Sequence, residues 1–130
     1  MKLSLKVSPD VYPALSFRFY LGELDFESIF AELLEDGVCT PKQLKKAYKG
    51  VSIDECDGLM AVFGGALVIW TKGGYTLKNI GVITHETLHA VYAAGRHIQV
   101  EDDEFDCYLM GYLLDELYKA SLKSRRKAKA

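Results

Sequence analysis

Hydrophobic and polar positions alternate twice near the start of the chain. "KLSLKV" (residues 2–7) and "ALSFRFYLG" (14–22) both carry the period of two expected of strands, with Leu15, Phe17 and Phe19 on one face of the second. "SPDVYP" between them has turn chemistry. The period then lengthens. In "LDFESIFAELLEDG", Phe26, Ile29, Phe30, Leu33 and Leu34 form one helical stripe, with Leu24 or Asp25 at its start and Gly37 at its close. "TPKQLKKAYKG" predicts a short, basic-faced helix, with Thr40 as N-cap, Pro41 in the first turn and Gly50 after the end. Two apolar runs, Leu59–Phe63 and Ala66–Trp70, flank Gly64-Gly65 and predict a tight hairpin, in which both glycines can take positive φ. "TLKNIGVITHETLHAVYAAG" reads as a long helix from an N-cap at Thr76 to a stop at Gly95. "RHIQVEDD" connects it to a last helix, "DEFDCYLMGYLLDELYKASL", capped by Asp102 or Asp103, whose acidic start complements the helix dipole. The order of elements predicts an α+β fold with a small mixed or antiparallel sheet, followed by two helices packed antiparallel.

Composition narrows this modestly. The chain has 130 residues, 49% of them hydrophobic, enough for one core and one domain. The net charge of −2 hides an uneven distribution. All 18 acidic residues fall at or before Glu116, and residues 119–130 hold six of the 16 lysines and arginines. We therefore read residues 1–120 as an acidic domain and 121–130 as a basic C-terminal tail. The tail is either a solvated terminus or a contact for phosphates or an acidic surface. No aromatic residue follows Tyr118, so stacking on single-stranded nucleic acid is not supported. Cys39, Cys56 and Cys107 are scattered and form no CxxC pair, which suggests reduced thiols rather than a disulfide framework. The longest apolar run, "GLMAVFGGALVIW", is too short to span a bilayer, and the first ten residues read as a strand rather than a signal peptide.

The chemistry concentrates in His85-Glu86-Thr87-Leu88-His89, the pattern HExxH. On a helix, residues four apart share a face, so His85 and His89 can point nitrogens at one ion. Glu86 stands on the flank, placed to act on a metal-activated water without binding the metal. Glu86 is the only charged residue between positions 79 and 95, which predicts a buried helix whose polar groups need a partner such as zinc. The competing expectation is two partly buried histidines bonded to backbone, with Glu86 at the surface.

Catalytic zinc takes three protein ligands and keeps one position open. Downstream candidates for the third are His97, Asp102, Asp103, Glu104 and Asp106. Tyr92 and Gly95 stand where a metzincin has its glycine and third histidine, so that pattern fails. Glu104 fits better. An antiparallel last helix would bring its first turn alongside the HExxH helix, with Glu104, Tyr108, Gly111 and Asp115 on one face.

The stretch "THETLHAVYAAGRHIQVEDDEFDCYLMGYLLDELY" resembles the C-terminal half of small HExxH proteins encoded by tailed bacteriophages and prophages. Their pattern is HExxHA, a short connector, then DE-x-x-x-Y-L-x-G-Y. It is matched here by His85-Glu86, His89-Ala90, Asp103-Glu104, Tyr108-Leu109 and Gly111-Tyr112. The resemblance covers about residues 80–118. It implies a minimal, gluzincin-like zincin fold and zinc metallopeptidase activity, with Zn2+ held by His85, His89 and Glu104 and with Glu86 as general base. Tyr108, Tyr92 or His97 would steady the oxyanion. The partner would be a peptide or protein substrate, paired with an edge strand. "ALVIWTK" is either that edge strand or plain sheet core, which its apolar content favours. The compact connector departs from well-known gluzincins, whose third ligand lies further downstream. An alternative is a non-catalytic phage structural or assembly protein that keeps the fold, in the virion or in the host cytoplasm.

Overall fold

The structure, a computed structural model, describes residues 2–129. Strands β1 (Leu3–Val7) and β2 (Ser16–Leu21) lead into helices α1 (Phe26–Glu35) and α2 (Pro41–Ala47). Strands β3 (Gly58–Phe63) and β4 (Ala66–Thr71) follow, then helices α3 (Ile80–Ile98) and α4 (Asp103–Lys129). The sheet runs β1-β2-β4-β3 and is mixed. β1 is antiparallel to β2, β3 is antiparallel to β4, and β2 runs parallel to β4, with Phe17 opposite Leu67 and Phe19 opposite Ile69. A parallel pair needs a crossover, and the segment carrying α1 and α2 supplies it.

Both faces of the sheet are covered. Phe17, Phe19, Leu21, Leu67 and Ile69 pack against α3 and α4, through Ile83, Ala90, Val91, Leu109, Leu113 and Leu117. On the other face, Tyr20, Val68 and Trp70 pack against Ile29 and Leu33 of α1 and Leu44 of α2. This three-layer arrangement explains why β2 and β4 are buried almost throughout. It also decides the position of "ALVIWTK". β4 lies inside the sheet, and the edge beside α3 belongs to β3.

Local chemistry sets the helix ends. Asp25 accepts from the Ser28 N–H at 3.2 Å, and Thr40 and Gln43 form a reciprocal capping box. Thr76 precedes a 3-10 turn, Leu77–Asn79, rather than capping α3 itself. The Asn79 amide donates to the Gly73 and Gly74 carbonyls at 2.9 and 3.0 Å and ties this turn to the end of β4. Gly95 does not stop α3. The helix continues to Ile98 and ends at Gln99 in the left-handed region, φ 60°. The glycine serves close approach instead: a Cβ there would lie 2.7 Å from the Val100 carbonyl oxygen and 3.3 Å from the Phe105 ring. At the β3–β4 hairpin Gly64 alone has positive φ. α4 runs on through the basic segment, and Ser121 is fully buried. The three cysteines are free. Among the described residues no helix is long and apolar enough to cross a membrane.

Candidate metal and hydrolytic site

α3 has two unlike faces. Ile83, Thr87, Ala90, Val91 and Ala94 face the core, and the Thr87 hydroxyl is satisfied there by donating to the Ile83 carbonyl at 2.6 Å. His85, His89, Tyr92 and Arg96 recur at helical spacing on the solvent side. The uncharged flanks of HExxH thus come from the buried half of an amphipathic helix. The histidines are on the exposed half, and the His85 side chain is 67% exposed.

The two imidazoles nevertheless converge. Their Nε2 atoms lie 3.1 Å apart, with ring planes at 80°. Two nitrogens at zinc–imidazole distance from one tetrahedral ion would be about 3.3 Å apart. The pair therefore fits two adjacent positions on one metal. Without metal, one ring donates to the other.

Glu86 is the sheltered member of the motif. Its side chain is 12% exposed and its Oε1 lies 3.9 Å from His85 Nε2. The burial order is thus the reverse of the competing expectation, which had the histidines inside and Glu86 outside. Shelter comes from the edge strand. Gly58 opens β3 directly over Glu86, and a Cβ there would lie 2.8 Å from Glu86 Cγ and 3.0 Å from Val82 Cγ1. Asp57, Gly58, Gly81, Val82, His85 and Glu86 line an open groove at this end of the sheet. A glycine opening a strand is a sequence signal for close backbone approach, and "DGLM" carries it.

The remaining candidates stand apart from the pair. Glu104 is in the first turn of α4, exposed, with its N–H donating to the Asp102 carboxylate at 2.9 Å. Its neighbours Asp103 and Asp106 share a groove with Tyr92 and Arg96. Among the described residues no group of three or more His, Cys, Asp or Glu converges to hold a metal. Tyr108 packs edge-on to Tyr12 and stacks with Tyr112, each at 6.4 Å, on the flank of α4 facing the β1–β2 loop. His97 lies at the far end of α3, near Gly65 of the hairpin. Tyr92 alone of the three oxyanion candidates shares the histidine face.

The site therefore offers two metal donors, one sheltered carboxylate and an open groove along an edge strand. No protein family, curated protein or solved structure matches this chain, so the reading of its function rests on these residues.

Proposed function

We propose that the His85–Glu86–His89 face is a zinc-dependent hydrolytic site, in a metallopeptidase-like protein of phage origin. The observation that carries the reading is the 3.1 Å convergence of the two imidazoles beside the sheltered Glu86. When bound, zinc supplies a Lewis acid that brings the pKa of water toward neutrality. His85 and His89 would hold the metal as neutral imidazoles. Glu86, sheltered on the flank of the pair, would act as general base toward water and return the proton to the leaving amine. The unpaired outer edge of β3 runs up to this groove and holds an extended peptide by backbone pairing. Glu104 is the third ligand in this proposal and joins the pair only if the first turn of α4 comes closer.

Zinc binding to purified protein and cleavage of a broad fluorogenic peptide library test this. His85→Ala and His89→Ala are each expected to weaken zinc by at least about tenfold. Glu86→Gln should keep zinc and lose at least about 100-fold in turnover. Wild-type protein that binds no zinc would sink the proposal, and unchanged zinc affinity in Glu104→Gln would remove Glu104 from the ligand set.

The second reading is a structural or assembly protein with a retained zincin-like layout. The lack of a third converging donor among the described residues favours it. Zinc binding without cleavage of any library member would select it.

A further inference from the structure

The sheet has a second free edge, far from the histidines. β1 pairs with β2 on one side only, so every second residue of Leu3–Val7 turns its backbone N–H and C=O outward. Clefts lie on both sides of this edge. On one side, Leu5 meets the C-terminal half of α4 across a groove with an apolar floor of Ala120 and Leu122. Lys119, Lys123 and Arg126 rim it at helical spacing, and Glu116 sits at one end, 3.6 Å from Lys119. On the other side, a smaller cavity opens above β1, lined by Ser4, Lys6, Arg18, Tyr20 and Glu32.

Arg18 makes that cavity unusual. It is 4% exposed, on the α1 face of β2. Its Nη1 donates to Asp36 at 2.8 Å and to Glu32 at 3.3 Å, while its buried Nε has no partner. Burial works against the guanidinium charge, but its bonds to Tyr20 and Asp36 outweigh this and raise its pKa further. With two carboxylates already on its Nη1, Arg18 serves as a wall of the cavity, and the exposed Lys6 is the cation that an incoming strand can reach. Ser4, the small residue at the edge, leaves the approach over β1 open.

We propose that the outer edge of β1 is a docking site for an acidic, extended peptide segment of a partner protein, which adds to the sheet as a fifth strand. Side chains of an added strand alternate between the two faces. On one face they meet the α4 groove and its basic rim, and on the other Ser4 and the exposed Lys6. Among the described residues Lys6, Lys123 and Arg126 have no carboxylate within 4 Å, so the α4 side carries a positive surplus and Lys6 adds an uncompensated cation on the other, where Arg18 is already paired with Glu32 and Asp36. A second copy paired β1 to β1 would bring two basic α4 stripes together, and like charge opposes it. A nucleic-acid backbone is disfavoured because Glu32, Asp36 and Glu116 interrupt the positive surface, whereas spaced carboxylates can avoid them.

The test uses the full chain and a fluorescein-labelled peptide of alternating glutamate and valine, read by anisotropy. Controls are the lysine–valine counterpart, the glutamate–valine peptide N-methylated at alternate residues, and a single-stranded oligonucleotide. The acidic peptide should bind, and the lysine peptide should not. Combined Lys123→Glu and Arg126→Glu should weaken it by at least about tenfold, and Lys6→Glu should weaken it as well. N-methylation should also abolish binding in one of its two registers, because it removes the backbone donors of strand addition. The proposal fails if the acidic peptide does not bind, if both N-methylated registers bind normally, or if charge reversal leaves affinity unchanged. It fails equally if the oligonucleotide is the better ligand.

Discussion

Glu86 and its two histidines occupy little more than one turn of helix, yet they differ sharply in surroundings. The imidazoles are in solvent and reach each other, while the carboxylate is tucked beneath the start of β3. Glu86→Gln should therefore change chemistry without changing the fold, measured as unchanged zinc affinity and thermal midpoint with lost turnover. A second residue-scale consequence concerns Tyr48, which packs against Phe30 beside α1. Burial, with smaller contributions from Cys39 and Tyr20, pushes its phenol up to about 12. A phenol that holds its proton more tightly when folded contributes stability that is complete below its unfolded pKa near 10 and is lost as pH rises from there toward 12. The Tyr48 contribution to this loss should be on the order of 2 kcal/mol. Urea melts at pH 9 and pH 11.5 should thus differ less in Tyr48→Phe than in wild type. Equal pH dependence in the two proteins would contradict the assignment.

At the scale of elements, two packings carry testable weight. The first is β3 on α3. Gly58→Ala places a methyl within 2.8 Å of Glu86 Cγ, so Glu86 must move outward or β3 must lift. Stability should fall by about 1–3 kcal/mol, and turnover should fall more than zinc affinity, since the added methyl meets Glu86 and Val82 rather than the imidazoles. Zinc lost in step with turnover would show that the strand also positions the metal donors. The second packing is α4 on the sheet. Leu109, Leu113 and Leu117 are fully buried along one line of the helix. Leu113→Ala should cost about 2–5 kcal/mol in chemical denaturation, through lost burial and the cavity left behind. A loss under 1 kcal/mol would mean that α4 is not anchored as described.

Across the whole molecule, the hydrophobic pattern announced the kinds of elements and most of their positions, because period two and period 3.6 are local properties. Phe17 and Phe19 against Arg18 and Tyr20, the Thr40 box and the Gly64-Gly65 hairpin could all be read this way. The misjudged features depend on residues distant in the chain. Gly95 looked like a stop because glycine often ends helices, but it is needed where Val100 and Phe105 close on it. The uncharged flanks of HExxH implied burial of the whole helix, whereas they describe the half that packs on the sheet. By itself, then, the sequence determined the α+β class, the register of polar and apolar faces and the i, i+4 pairing of His85 with His89, all set within a few residues by helix and strand geometry. Tertiary structure alone decided that β3 and β1 are the sheet's edges, that Glu86 is sheltered by Gly58, and that Glu104 forms no converging donor group with His85 and His89. The physical reason is that strand order and helix docking follow from how both sheet faces are buried at once, a condition on the whole chain that no local period contains.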